Sequence, residues 1–321
     1  MKECLRRHRD LVQSLAVLGL IFSLAAVCSP RDWRTGGPLF LQADNLTNLL
    51  RVTTPVAVVA LGMTLVILTG GIDLSVGSTL GLAAVVAALA LAKWHWGGAA
   101  AIATAITVGG LVGLLNGALV ALLRVPPFII TLASMIGIRG LARSWCNNEN
   151  IGLRTAGDAA VRFVDTWSQK PFMIGLFAGL ALLVAALLRG TVFGRYVRAL
   201  GDNPTAAVYA GLPIKRVQLA VYGLTGLLAG LAGVLTAART NTGNPNDGIA
   251  AELDVIAVVV MGGTALTGGR GGIAGTVIGA LIVGILANIL GLRNVDANSQ
   301  LMLKAGIIVL AVVLQQRRAA R

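Results

Sequence analysis

The chain has 321 residues, of which 56% are hydrophobic and only 12% charged, and its formal net charge is +13. A mean hydropathy of +0.82 means far more apolar side chain than one water-soluble domain could cover. Apolar runs extend from residue 11 to residue 314, and the longest polar interval, about 146–170, is too short for a domain. The composition therefore excludes a disordered chain, a small disulfide-stapled protein and a soluble enzyme with one membrane anchor, and it predicts a multi-pass membrane protein.

Basic residues flank the predicted helices instead of forming a patch, so the positive charge does not indicate a nucleic-acid partner. They concentrate at residues 2–9, 189–216 and 317–321. Cytoplasmic segments of membrane proteins carry an excess of Lys and Arg. We therefore expect all three clusters in the cytoplasm, which places both termini inside and makes the number of spans even.

Three cysteines, Cys4, Cys28 and Cys146, and two histidines, His8 and His95, stand at unrelated spacings. This set favours neither a disulfide framework nor a zinc site, and the sequence has no G-x-x-x-x-G-K-[ST] phosphate loop. We therefore expect no metal, no bound cofactor and no catalytic residue in this chain. The basic start and the apolar run after it imitate a secretory signal, but many spans follow, so we interpret the run as an uncleaved first helix.

Apolar stretches of about 20 residues, separated by Gly, Pro and charges, predict about ten helices. They cover residues 11–28, 49–69, 74–92, 99–123, 127–145, 171–189, 217–238, 253–267, 273–290 and 301–314. The predicted fold class is an all-α, polytopic transmembrane helix bundle with cytoplasmic termini and glycine-broken helices in two halves, and residues 1–321 form a single domain. Threading the helices from an inside N-terminus places residues 190–216 in the cytoplasm and residues 146–170 outside.

The first glycine break lies in the passage LTGGIDLSVGS at residues 68–78. Gly70 and Gly71 interrupt the apolar run there, and Asp73 and Ser75 follow. An ionisable group at membrane depth is costly enough to suggest a role in the translocation pathway. If the break lies at the surface, Asp73 is instead the N-cap of the next helix. The sequence leaves both interpretations open.

Polar residues also occur inside the predicted spans. Asn116 and Asn288 either bridge two helices or contact a polar cargo. Arg139 and Arg143, one turn apart in the fifth helix, either snorkel outward or contact a partner protein.

Glycine is unusually frequent, with 41 residues, and much of it recurs at four-residue spacing within the spans. The pattern covers Gly109, Gly113 and Gly117, then Gly175 and Gly179, Gly226 and Gly230, and Gly275 and Gly279. Small residues at i and i+4 lie on one helix face and allow close backbone approach. The pattern predicts a compact bundle.

A short helix is predicted in the cytoplasmic loop. Asn203 suits the N-cap, Pro204 the first helical position, and Gly211 the left-handed residue after the end, while Pro213 prevents continuation. About seven helical residues cannot stand alone in water. Either a partner or the protein's own cytoplasmic face must therefore hold this helix.

The pattern of the first glycine break is repeated 198 residues later, where LTGGRGGIAGT occupies residues 266–276. Both copies read LTGG, five further residues, then Gly and a hydroxyl residue. Paired glycine breaks in two halves are the best sequence pointer to a transporter's central site. Gly268 and Gly269 are therefore pathway candidates with Gly70 and Gly71, and the threading places both breaks on the same side.

Three passages resemble one known family. They are VILTGGIDLSVGSTLG at residues 66–81, TVFGRYVRALGDNPTAAVYAG at 191–211, and ELDVIAVVVMGGTALTGGRGGIAGTVIG at 252–279. Over most of its length the chain is similar to the membrane permeases of sugar-type ABC importers, the ribose, xylose and autoinducer-2 permease family.

The resemblance implies a subunit that pairs with a second permease chain in the bacterial cytoplasmic membrane and imports a monosaccharide or similar small polyol. It also implies a periplasmic sugar-binding protein and a separate cytoplasmic ATPase that binds ATP. Residues 202–211 look like the family's coupling helix, which docks on that ATPase. The coupling candidates are Asp202, Asn203, Pro204, Ala206, Ala207 and Gly211.

Two other functions stay open. The first is an ABC permease for branched-chain amino acids or nucleosides. The second is an ion-coupled secondary transporter, which would need a carboxylate within the membrane, and Asp73 is the main candidate. A purely structural membrane subunit would tolerate changes at Asp73 and Gly70.

Overall fold

The computed structural model describes residues 2–33, 36–123, 125–296, 298–303 and 305–306. The tenth predicted helix, 301–314, lies mostly outside the described residues, and the basic cluster at 317–321 lies entirely outside them. Helical backbone is present at 298–303 and 305–306.

Twelve α-helices follow one another between residues 2 and 292. They are α1 (Lys2–Cys28), α2 (Ala43–Leu68), α3 (Val76–Ala92), α4 (Gly98–Leu123), α5 (Pro127–Trp145), α6 (Asp158–Trp167), α7 (Lys170–Gly190), α8 (Val192–Asp202), α9 (Pro204–Tyr209), α10 (Ile214–Thr240), α11 (Ala251–Met261) and α12 (Ile273–Leu292). A 3-10 turn, Leu39–Leu41, precedes α2. Two short strands, β1 (Ile151–Gly152) and β2 (Thr242–Gly243), pair antiparallel.

Five of these helices, α2, α4, α7, α10 and α12, are long and apolar enough to cross a membrane. Residues 12–28 of α1 and the whole of α3 form shorter apolar helices. With the family evidence given below, these helices make the chain a multi-pass membrane protein organised as a helix bundle.

Glycines account for the closest packing in the bundle. A methyl group on Gly109, Gly113 or Gly117 of α4 would meet backbone atoms of α10 at 3.0 Å or less. Gly226 and Gly230 of α10 face the same contact from the other side. The predicted small-residue packing therefore occurs between α4 and α10, because only residues without a side chain allow two helix backbones to come this close.

Other glycine pairs behave differently. Gly275 and Gly279 of α12 pack against the backbone of α11 at Gly262 and Val258. The prediction is wrong for Gly175 and Gly179, because a methyl group at either would meet no atom of the described chain within 4 Å. Both face outward, since α7 lies at the edge of the bundle.

The bundle has two ends, which are named here by their features. The turn end contains the end of α2, the end of α4 and the start of α10, together with both glycine breaks. The strand end contains β1 and β2, the start of α2 and the end of α12. Asn45 and Asn288 exchange two side-chain hydrogen bonds of 3.1 and 3.0 Å there, between α2 and α12.

Two parts of the predicted helix pattern are wrong. The helix predicted at 253–267 ends at Met261, because Gly262 packs directly on the backbone of Gly275 and Gly263 takes a left-handed φ of +86°. The intervals predicted as loops, 146–170 and 190–216, contain the amphipathic helices α6 and α8. Each of these helices is too short and too charged to resemble a span.

Candidate functional site

The first glycine break closes α2 with a left-handed glycine. Gly70 has φ +79°, its N–H donates to the carbonyl of Ile67 at 2.9 Å, and the N–H of Gly71 donates to the carbonyl of Val66 at 3.1 Å. These bonds satisfy carbonyls that the end of a helix otherwise leaves free. After Gly71 the chain runs without helix to Ser75, the N-cap of α3.

The second break connects α11 to α12. Gly268 and Gly269 both have positive φ angles, +90° and +72°. Within the break, the N–H of Ala265 donates to the carbonyl of Arg270 at 2.9 Å, and that of Gly268 donates to the carbonyl of Ala265 at 3.0 Å. The break is therefore a compact loop closed by its own backbone.

The two breaks touch each other at the turn end. The N–H of Gly269 donates to the carbonyl of Leu68, the last residue of α2, at 3.0 Å. This contact agrees with the threading, which places both breaks on the same side. Gly70 contributes as well, because a methyl group on Gly268 would lie 3.0 Å from its nitrogen.

Gly201, near the end of α8, lies between the two breaks. A methyl group on Gly201 would overlap the carbonyl of Leu68 and lie 2.6 Å from the nitrogen of Gly269. Asp202 follows directly, and a methyl group on Gly269 would lie 3.0 Å from its Cα. The segment that leads into α9 is therefore packed against both glycine breaks, and the sequence pattern did not single out Gly201.

Asp73, Ser75 and Asn116 are buried together and are called here the Asp73 group. Oδ1 of Asp73 accepts hydrogen bonds from the backbone N–H of Ser75 at 2.9 Å and from its hydroxyl at 2.6 Å. The side-chain amide of Asn116 on α4 donates to the same hydroxyl at 2.8 Å. The interpretation of Asp73 as the N-cap itself is wrong, because the N-cap is Ser75 and Asp73 binds that residue.

The Asp73 group lies inside the bundle. Asp73 is 2% exposed, and Ser75 and Asn116 are each 1% exposed. Asn116 precedes the end of α4 by seven residues, which corresponds to about 10 Å of helix from the turn end. The segment between Gly71 and Ser75 therefore returns from the turn end into the bundle.

Tyr222 of α10 is a neighbour that the sequence analysis missed. A methyl group on Gly71 would lie 2.7 Å from its hydroxyl oxygen, so the glycine leaves room for that hydroxyl. The hydroxyl of Tyr222 and Oδ1 of Asn116 are both buried without a hydrogen-bond partner in the described chain. A tyrosine in an apolar helix looks like an ordinary packing residue, so no sequence signal marks it. Asn288 is not part of this group, since its partner is Asn45 at the strand end.

The helix α9 projects from the turn end. Oδ1 of Asn203 accepts from the N–H of Ala206 at 2.9 Å, Pro204 is the first helical residue, and Gly211 has φ +72°. Ala207 is 4% exposed, so other parts of the chain cover it, whereas Tyr209 is 87% exposed.

The exposed side chains of α9 determine what a partner could contact. Val208 is 60% exposed, and Asp202, Asn203, Pro204, Ala206 and Gly211 are exposed as well. Ala207 anchors the helix and is not available to a partner. Val208 and Tyr209, which the sequence analysis did not name, provide the apolar contact area instead.

Arg139 and Arg143 of α5 do not snorkel away from the protein. Nη1 of Arg139 donates to the carbonyls of Pro245 and Asp247 at 2.6 Å each. Arg143 donates to Oδ1 of Asn246 at 2.8 and 3.2 Å. Both arginines therefore hold the loop between β2 and α11. Within the described residues, no group of three or more His, Cys, Asp or Glu could hold a metal ion.

The structure is an apolar bundle with two joined glycine breaks and a projecting capped helix. Comparison with known proteins assigns a chain of this kind to a class: it is a transport permease. The chain belongs to the family described as "Branched-chain amino acid transport system / permease component", which matches residues 45–312.

Three relatives support this assignment over nearly the full length. The chain is 37% identical to the ribose import permease protein of Escherichia coli K12, covering 99% of this chain and 96% of that protein. It is 36% identical to the L-arabinose ABC transporter permease protein of Azospirillum brasilense, covering 88% and 82%. It is 32% identical to the xylose transport system permease protein of Escherichia coli K12, covering 93% and 91%. The resemblance drawn from the three passages is confirmed.

Proposed function

We propose that this chain is the membrane permease subunit of an ATP-driven importer that moves a monosaccharide or similar small polyol across the bacterial cytoplasmic membrane. The observation that carries the proposal is the similarity, over 99% of the chain, to a ribose import permease, together with the arabinose and xylose permeases. The proposal includes the predicted arrangement of about ten spans with both termini in the cytoplasm.

Three partners belong to the proposal. A separate cytoplasmic ATPase binds and hydrolyses ATP, a periplasmic binding protein delivers the sugar, and a second copy of this chain completes the translocation path. The exposed Val208 and Tyr209 on α9 favour the ATPase contact, because a six-residue helix with one buried residue offers most of its surface to a partner.

The packing around Gly201 suggests how movement is transmitted. When the ATPase closes on ATP, it displaces α9 and the end of α8. Because Gly201 lies against Leu68 and Gly269, that displacement acts on both glycine breaks at once. The breaks in turn hold the start of α3 and the start of α12, which rearrange around the path.

The alternatives differ in cargo and in energy source. The family description names branched-chain amino acids, so a permease for amino acids or nucleosides is the nearest rival. An ion-coupled transporter would need a titratable carboxylate free to bind the ion. Asp73 is a poor candidate, since Ser75 donates two hydrogen bonds to its Oδ1.

Uptake by intact cells tests the proposal. Cells with the chain and cells lacking it receive radiolabelled ribose, arabinose, xylose, leucine and adenosine. We expect at least one pentose to enter at least tenfold faster when the chain is present, and leucine and adenosine to enter at equal rates. Uptake of leucine or adenosine alone would overturn the sugar assignment.

A matched pair of variants tests the energy source in the same cells. Tyr209→Asp places a charge on the proposed ATPase contact, whereas Tyr209→Phe keeps its apolar surface. We expect Tyr209→Asp to abolish uptake at normal membrane levels of the chain and Tyr209→Phe to retain most of it. Full uptake by Tyr209→Asp, combined with collapse under an uncoupler at constant ATP, would indicate an ion-coupled transporter.

A further inference from the structure

The chain between β2 and α11 turns back from the strand end and runs down the side of α3. A methyl group on Gly243 would meet Ala84 and Ala88 of α3, and one on Gly248 would meet the backbone of Gly77. Eleven residues of helix separate Ala88 from Gly77, or about 16 Å. Residues 243–250 therefore reach the middle of the bundle.

Small residues on one face of α3 make this path possible. Gly77, Gly81, Ala84 and Ala88 follow one another at helical spacing and form a shallow groove. At Gly81 an added methyl group would lie 2.6 Å from both Nη1 of Arg139 and the carbonyl of Asp247. The groove therefore admits a charged side chain and a backbone segment side by side.

Three charged residues reach this groove: Arg139 on α5, Asp247 in the returning segment and Glu252 in the first turn of α11. Together with Arg239 at the end of α10, which interacts electrostatically with Asp247, they are called here the Arg139 group. Asp247 interacts electrostatically with both arginines, and Glu252 with Arg139. Three distant parts of the chain thus supply these charges, two of each sign.

The charges of the Arg139 group face each other without pairing. No nitrogen of its two arginines lies within 4.0 Å of a carboxylate oxygen of Asp247 or Glu252. Oδ2 of Asp247, Oε2 of Glu252 and Nε of Arg239 are buried without a hydrogen-bond partner in the described chain. Buried polar atoms normally have a partner, either protein or water, so these three atoms are available to a group from outside the chain.

The unpartnered donors and acceptors indicate the chemistry of such a group. The carboxylate oxygens accept, and the guanidinium N–H groups donate. Nη1 of Arg139 contacts only the carbonyls of Pro245 and Asp247, which leaves three of its five N–H groups without an acceptor in the described residues. A hydroxyl group both donates and accepts, so adjacent hydroxyls fit between such carboxylates and guanidinium groups.

The Arg139 group borders an open face of the molecule. Arg143 and Asn246 beside it are exposed, Ile249 is 59% exposed and Leu253 is 53% exposed. A methyl group on Gly140 of α5 would meet nothing within 4 Å. A ligand that passes along this face reaches the charges without crossing the packed core.

We propose that the Arg139 group is a cargo site within the translocation path, where Glu252, Asp247 and the two arginines bind the vicinal hydroxyl groups of a sugar in transit. This inference rests on the proposed function and adds the residues that contact the cargo. It assigns two of them, Asp247 and Glu252, to the stretch from β2 to the first turn of α11, which the sequence pattern left outside its predicted helices.

A cycle of cargo analogues and variants tests the site. The cargo is the pentose that the wild-type chain carries best, and the analogues are its monodeoxy forms, all supplied at saturation to cells with the chain and its own partners. For at least one deoxy position we expect wild-type uptake to fall about tenfold, the effect of one hydrogen bond to a charged group. In Glu252→Gln, removal of the same hydroxyl group from the sugar should lower uptake less than threefold, because the substitution has already weakened the hydrogen bond to that hydroxyl.

The comparison of ratios removes the influence of the binding protein, which is the same in both strains. Glu149→Gln, an exposed carboxylate in the outer loop, is the matched control and should keep the wild-type ratios. Asp247→Asn is the second variant, and in it the loss of uptake caused by removing one hydroxyl group of the sugar should also be smaller than in the wild type.

The site would be overturned if the ratio of analogue uptake to pentose uptake were the same in the wild type, Glu252→Gln and Asp247→Asn for every analogue. It would also be overturned if neither variant accumulated in the membrane, because the carboxylates would then serve the fold. Either result leaves the proposed function intact. The absence of uptake of any monosaccharide or small polyol by the wild type would instead refute the function itself.

Discussion

The Asp73 group and the Arg139 group differ both in burial and in how their hydrogen bonds are satisfied: the residues of the first are fully buried, whereas those of the second are half-buried. In the Asp73 group, Oδ1 of the carboxylate accepts two bonds from Ser75, and Asn116 completes the chain of contacts. In the Arg139 group, the clearest bonds go from an arginine to backbone carbonyls, while one oxygen of each carboxylate, Oδ2 of Asp247 and Oε2 of Glu252, has no partner in the described chain.

The difference shows what each group is built to do. A buried carboxylate with its own donors stabilises one local structure, here the non-helical entry into α3. A buried carboxylate oxygen without a donor costs free energy unless something binds it, and Oδ2 of Asp247 and Oε2 of Glu252 are such atoms. We therefore interpret the bonds between Asp73 and Ser75 as a structural lock, which fixes the entry into α3, and the Arg139 group as a ligand site.

The largest effect is expected when the clamp of the Arg139 group is removed. Arg139→Ala deletes two charge-assisted hydrogen bonds that hold the returning segment, and it should lower the free energy of unfolding by about 3 kcal/mol. Thermal unfolding of the purified protein in detergent measures this. Arg143→Ala is the control and should cost less than about 1 kcal/mol, since its contact with Asn246 is exposed. Equal losses for both variants would contradict the assignment of Arg139 as the clamp.

A smaller effect is expected when the lock at Asp73 is opened. Asp73→Ala leaves the N–H and hydroxyl of Ser75 without their acceptor and should cost about 1–3 kcal/mol. Asp73→Asn keeps an acceptor oxygen and should retain most of the stability and most of the sugar uptake. If Asp73→Asn unfolds at the wild-type temperature but no longer supports uptake, the carboxylate has a role in the path after all, and the contrast between the two groups fails.

Much of the fold could be predicted because it depends on local pattern. Hydropathy located α4, α5, α7 and α12 within two residues of their observed ends, and Asn203, Pro204 and Gly211 occupy the positions around α9 that their backbone preferences predict. The role of α9 in binding an ATPase stays a prediction, as does the pathway role of the glycine breaks.

The Arg139 group could not be predicted, since it depends on contacts between residues far apart in sequence. Arg139 and Asp247 are separated by more than one hundred residues, and they meet beside Gly81 of α3. The repeat included Gly77, but nothing in the sequence indicated that Gly77 and Gly81 accommodate a charged segment. Likewise, the apolar run after residue 253 concealed the early end of α11 at Gly262.

The smallest effect is expected at Asn116, whose side chain has one polar atom with a hydrogen-bond partner and one without. Its amide nitrogen donates to Ser75, whereas its Oδ1 is buried without a partner. Asn116→Leu removes the bond and the unpartnered oxygen together, so the loss and the gain offset each other within about 1 kcal/mol. Asn116→Ala, the comparison variant, also leaves a cavity and should cost more. Unfolding in detergent distinguishes the cases: a loss of 3 kcal/mol or more in the leucine variant would mean that Oδ1 is bound, and that the Asp73 group also holds a ligand.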